Sequence, residues 1–128
     1  MNILHLNLIK VWFDMILSGD KTEEYREITE YWAVRLIEGW NRFKPSAKKI
    51  LLQTMNNTAF SETELKKCIE LTPKKFDQVH FKNGMARNGK PAPSFDIGFD
   101  GLRVDTGLAE WGAELGKLYF VIGVGLKK

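Results

Sequence analysis

Residues 19–26 read Gly-Asp-Lys-Thr-Glu-Glu-Tyr-Arg, and they mark a change of backbone period. Upstream, Val11, Trp12, Met15 and Ile16 recur at helical spacing, with Leu17 beside them, so the run from Lys10 to Ser18 predicts an amphipathic helix. Gly19 is placed as its terminator, free to take a positive φ. Downstream, the residues from Lys21 to Ile28 read as a strand. On a strand Thr22, Glu24 and Arg26 face one way and Lys21, Glu23 and Tyr25 the other, which makes Glu24 and Arg26 same-face neighbours about 7 Å apart. Lys21 stands at the turn, where strict alternation need not hold, so its side chain can swing to either face.

Two readings of these charges stay open at this point. One is a solvated charged strand at a sheet edge, where lysines discourage aggregation. The other is a cleft in which Lys21 polarises or activates a ligand, Glu24 exchanges protons, and Arg26 positions them or binds an anion.

Working outward, residues 2–8 alternate, with Leu4, Leu6 and Leu8 on one side and Ile3, His5 and Asn7 on the other, the pattern of a half-buried strand. Thr29 or Glu30 opens a second amphipathic helix that runs toward Gly39. Lys48 to Thr54 (KKILLQT) reads as a short apolar strand and Met55 to Phe60 as a loop. Ser61 and Glu64 have the spacing of a capping box ahead of a third helix over 62–71, which Thr72-Pro73 stops. Strands are expected over 76–82, over 94–104 with Phe95, Ile97 and Phe99 on one face, and over the apolar run 117–125. Residues 83–93, rich in Gly, Asn and Pro, form a loop. The order is not the even alternation of a doubly wound sheet, and it favours an α+β domain with a curled mixed sheet or small barrel and helices outside.

The bulk numbers bound the function. At 128 residues the chain suits one domain with one core. A net charge of +3 permits a nucleic-acid or phosphate partner without demanding one. The single cysteine, Cys68, excludes an intramolecular disulfide and any multi-cysteine zinc site, and its helical setting favours a packing role. No metal-ligand spacing and no phosphate-cradling glycine loop occurs, so no cofactor and no metal are expected. With no long apolar run and no leader pattern, a cytoplasmic protein that does not enter a membrane is expected.

The spacing Gly19-x-Lys21-x-x-Glu24-x-Arg26 resembles the GxKxxExR signature of the ASCH domain, a relative of the PUA domain. Leu4 to Leu36 looks like the N-terminal strand, helix and motif strand of that family without a gap. Phe76 to Met85 (FDQVHFKNGM) resembles its strand ending in Phe-x-Asn-Gly, and Glu110 to Gly125 its Glu-Trp-Gly-Ala loop and last strand. The likeness covers about 3–36 and 76–125, and leaves 40–75 as an insert-like segment of the single domain. It implies a PUA-like small mixed β-barrel with flanking helices, the signature lining a cleft, and RNA or a modified nucleoside as the partner. Some members are hydrolases, one kind removing the acetyl group from acetylated cytidine with the motif lysine and a threonine. This chain keeps the lysine as Lys21 but carries Glu24 where that threonine stands, and Thr22 does not substitute for it by alignment. A ribonuclease is the other hydrolase the resemblance suggests.

Four further residues carry open readings. Trp111, between glycine-rich neighbours, is either a base-stacking platform or a loop anchor. Asn83 either reads a base edge or serves only an Asn-Gly turn. Arg87 and Lys90 are candidates for phosphate contact or members of a solvated loop. Trp12 and Trp32 fall on apolar helix faces and are expected in the core. His5 and His80 read as hydrogen-bonded structural histidines that need not meet. If Lys21 and Arg26 line an open cleft, replacing either with alanine weakens binding and leaves stability nearly unchanged.

Overall fold

The apolar runs of this chain pair into one mixed sheet. A computed structural model describes residues 2–57 and 72–125. Its elements in chain order are β1 (Ile3–Leu8), α1 (Lys10–Ser18), β2 (Glu23–Arg26), α2 (Glu30–Leu36), α3 (Pro45–Met55), β3 (Gln78–Asn83), β4 (Ser94–Thr106) and β5 (Leu118–Gly125), with 3-10 turns at Trp40–Arg42 and Ala109–Trp111. The five strands stand in the order β1-β3-β4-β5-β2. β1 pairs parallel with β3, Leu4 opposite Val79 and Leu6 opposite Phe81, and β3 pairs antiparallel with β4. The fold is therefore mixed α+β, as the strand-helix order implies. The helix expected over 62–71, its Ser61–Glu64 cap and Cys68 lie outside the described residues. No helix among the described residues is long and apolar enough to cross a membrane.

The described chain falls into two compact units. The first comprises Met1–Glu24, Lys75–Gly101 and Gly123–Lys128. Its core is built by period-two burial: Leu4, Leu6 and Leu8 of β1 and Val79 and Phe81 of β3 are buried while their neighbours along each strand are more exposed. α1 buries Phe13 and Ile16. The Phe13 ring meets Phe95 edge-on at 5.0 Å, and Phe95 meets Phe81 at 5.6 Å, an aromatic chain that seats α1 on the sheet. Gly123, on β5, is required by close approach: a Cβ there would collide with the main-chain oxygen of Asp100. Gly123→Ala is expected to lower stability by about 1–3 kcal/mol, read as a lower urea midpoint at unchanged slope.

The second unit comprises Tyr25–Lys74 and Leu102–Ile122. Ala33, Leu36, Ile37, Trp40 and Met55 are buried in it. Thr29 caps α2, its hydroxyl accepting from the Trp32 N–H at 3.4 Å. Ala113, Tyr119 and Val121 form a cluster on which Tyr25 packs. Both tyrosine hydroxyls accept backbone N–H groups, Tyr25 from Leu108 at 3.0 Å and Tyr119 from Glu114 at 2.9 Å, so each ring ties down a loop. Glu27 accepts from Lys117 Nζ at 2.8 Å, and this bond holds the half-buried Lys117 above the ordinary lysine pKa.

Two sequence expectations need correction. Residues 48–54 are helical, not a strand, and belong to α3. A run as short as Ile50-Leu51-Leu52 fits either element by apolarity alone. What decides it is Pro45 at the first helical turn, with its φ already set, and a face of Ala47, Leu51 and Met55 at four-residue spacing, while Ile50 points outward. Second, β4 runs on to Thr106 and changes face partway. Phe95, Ile97 and Phe99 are its inward positions before Asp100, and Leu102 and Val104 after it. The phase slips at Gly101, whose φ of +92° gives the strand its local kink.

Candidate functional site

The turn after α1 sets the geometry of the signature residues. Gly19 takes φ +90° and its N–H returns to Ile16 O at 3.1 Å. The Lys21 N–H then donates to Met15 O at 3.0 Å, folding the chain back against the helix end. With its backbone pinned there, Lys21 sends its side chain inward and not out to solvent. Its Nζ donates to Glu24 Oε1 at 2.7 Å and stands 4.8 Å from the centre of the Trp12 ring. The Lys21 side chain is 0% exposed and that of Glu24 7%. They are the buried charged residues among those described.

This arrangement has an energetic meaning. Taking an ammonium and a carboxylate out of water costs several kcal/mol per ion, and mutual attraction offsets that only with good geometry. The short bond and the Trp12 face supply such geometry. A pair of this kind is weak as a stabiliser compared with apolar residues of the same volume. A solvated charged edge is thus the wrong description of Lys21 and Glu24. The burial of Lys21 also overturns the expectation that Lys21→Ala leaves stability nearly unchanged.

Arg26 belongs to the second unit, where its guanidinium carbon lies 5.0 Å from the centre of the Trp32 ring. Trp32 meets Tyr31 edge-on at 5.0 Å, and Tyr31 in turn carries Arg35 at 3.4 Å from its ring centre. Arg26, Trp32, Tyr31 and Arg35 thus make a ladder of cations and rings along α2. Trp12 and Trp32, expected in the core, are only half-buried, and each lends its face to one cation of the signature. A signal for this exists in the helix pattern. Trp12 and Trp32 each precede a buried residue, Phe13 and Ala33, and so stand about 100° off it on the flank of the apolar face. Trp40 is the tryptophan that is fully buried.

Asn83 and Arg87 come together in the first unit, on the wall of a hollow of about 530 Å³ that also includes Lys90. The Asn83 amide is partly spent on structure, its Nδ2 donating to Leu8 O at 2.9 Å across the β1/β3 end. Arg87 and Lys90 bond each other's backbones at 3.0 and 2.9 Å around Asn88 and Gly89, which have φ of 52° and 72°. Two successive positive φ values make this a tight hairpin turn that leaves both cationic side chains exposed. Trp111 ends the 3-10 turn Ala109–Trp111 in the second unit, half-buried, its backbone N–H donating to Leu108 O at 2.9 Å.

The two histidines do meet. They are register partners across β1 and β3, with ring centroids 5.4 Å apart. No group of three or more His, Cys, Asp or Glu among the described residues is arranged to hold a metal ion. Comparison of the chain with protein-family profiles, with curated proteins and with solved structures finds no match.

Proposed function

We propose that this protein is an ASCH-type, PUA-like domain that binds RNA or a modified nucleoside, with the Lys21–Glu24 pair as its functional centre. The observation that carries the reading is the burial of that pair at a strand start, in the spacing of the signature. Buried, specifically paired ionisable groups concentrate at functional sites, because a purely structural position is served as well by apolar side chains. In this reading Lys21 works from behind. It holds the Glu24 carboxylate in one orientation, and Glu24 meets the ligand's donor groups. Arg26, Arg87 and Lys90 supply phosphate contacts, Asn83 its amide oxygen, and Trp111 a ring for stacking.

Fluorescence anisotropy with single-stranded oligoribonucleotides over a range of salt tests this. The observed association constant should fall with salt, with a log–log slope of about −0.7 for each phosphate contacted. Arg87→Gln should reduce that slope by about 1 while leaving the melting temperature unchanged. Binding that ignores salt, or an Arg87→Gln variant with an unaltered slope, contradicts the proposed contacts.

A second reading is supported by the 2.7 Å Lys21–Glu24 hydrogen bond, which suits proton exchange as well as positioning. It makes the domain a small metal-independent hydrolase of a modified nucleoside such as acetylated cytidine, or of RNA. Glu24 would act as general base, with Lys21 behind it holding the carboxylate in place and ionised. Mass spectrometry of acetylated cytidine incubated with wild type and with Glu24→Gln separates the readings. Product from wild type alone supports the hydrolase, and no product from either leaves binding as the function.

A further inference from the structure

Within the first unit, a second group of titratable side chains gathers on the polar face of β1, β3 and β4, where Gln78, His80 and Lys82 alternate with the buried Val79 and Phe81. His5 on β1 and Asp96 on β4 are the register partners of His80 on either side. The His5 and His80 rings lie 5.4 Å apart at 57°, and His80 Nδ1 is 2.8 Å from Asp96 Oδ1. Beside them is a cleft of about 320 Å³ walled by His5, Leu6, Asn7, His80 and Lys82. Asn7 closes one end: its amide donates to Gly84 O at 3.1 Å and accepts the Gly84 N–H at 3.0 Å.

We propose that this cleft is a pH-gated site for a phosphate group. Its wall carries three side chains able to bear positive charge and no carboxylate. Asp96 stands outside the wall and holds His80 by Nδ1, which fixes the ring and leaves Nε2 for a ligand. Imidazoles as a class gain their charge between about pH 8 and 5. Two imidazolium rings side by side repel, and an anion held in the cleft against both of them relieves the repulsion, so phosphate binding and protonation promote each other. The groups that face the pair are Asp96 from β4 and Lys82 from β3, and α1 packs on the opposite face through Phe13 and Phe95. A metal ion does not fit as well. Asp96 is committed to His80 Nδ1 and is not aimed as a third ligand. The cleft exceeds one phosphate in size, leaving room for the rest of an organic phosphate.

Histidine Cε1–H resonances followed during titration with inorganic phosphate or phenyl phosphate, against sodium chloride of equal ionic strength, test the site. Both histidines should shift saturably near pH 6, with affinity at least about ten-fold weaker near pH 8.5. His5→Gln and Lys82→Gln should each weaken binding about five-fold or more. The double variant Lys21→Met/Glu24→Leu should bind phosphate as wild type does, which separates this site from the proposed nucleic-acid function. Tighter phenyl phosphate marks a phosphate ester as the ligand, and equal affinities mark free phosphate. Shifts no different from chloride, affinity independent of pH, or unchanged binding in His5→Gln overturn the proposal.

Discussion

Lys21→Ala is expected to destabilise the protein by about 3–5 kcal/mol, a loss large enough to unfold a marginal domain at room temperature. The substitution removes the ammonium that balances the Glu24 charge at a site where the lysine side chain is 0% exposed, and it empties the space over the Trp12 ring. Alanine therefore cannot report on binding here, since loss of ligand and loss of fold arrive together. Replacing both partners avoids that. Lys21→Met/Glu24→Leu keeps the volume and removes both buried charges, and such replacements of buried ion pairs are often neutral or stabilising by about 1–4 kcal/mol. Urea titration of the two variants checks this: the midpoint should collapse in Lys21→Ala and recover to or beyond wild type in the double variant. A single variant as stable as wild type would mean that the pair does not carry its charges in a buried setting.

Phe81→Ala should cost about 3–5 kcal/mol as well, for a different reason. Phe81 is 0% exposed and packs on Phe95, which packs on Phe13 of α1. Its removal leaves a cavity under the helix that carries Trp12 and ends at the Gly19 turn. The expected reading is a lower urea midpoint at constant slope, together with a change in tryptophan emission before global unfolding. Phe81→Leu should recover most of the loss, because it restores much of the volume. If Phe81→Ala melts as wild type does, the aromatic chain is not what seats α1.

The parts of this fold legible in the sequence are those where one face of an element is uniformly apolar. The alternation of β1, the helical spacing of α1, the stop at Gly19 and the apolar run of β5 need no tertiary knowledge. The misread parts depend on it. Ile50-Leu51-Leu52 looks like a buried strand until Pro45 and Met55 are seen to bracket a helix. The slip of β4 at Gly101 is invisible because glycine there is compatible with an unbroken strand. That Lys21, standing at the turn, can swing to the face of Glu24 is legible in the sequence, but not that both side chains are buried, since charged side chains default to the surface. Hydrophobicity alone puts Trp12 and Trp32 in the core, whereas their position on the helix flank lets each ring serve both core and cation. His5 and His80 were legible as strand residues, and only the β1/β3 register brings them together.

The most direct test of the proposed functional centre is the affinity of the Lys21→Met/Glu24→Leu variant for single-stranded oligoribonucleotides, measured beside wild type at one salt concentration and at a temperature where both are folded. Wild type should bind, and the variant should lose at least about ten-fold in affinity at undiminished stability, as expected when a charge-assisted contact is removed. Equal binding by the two proteins, or no binding by wild type, would contradict the assignment of RNA recognition to the buried pair.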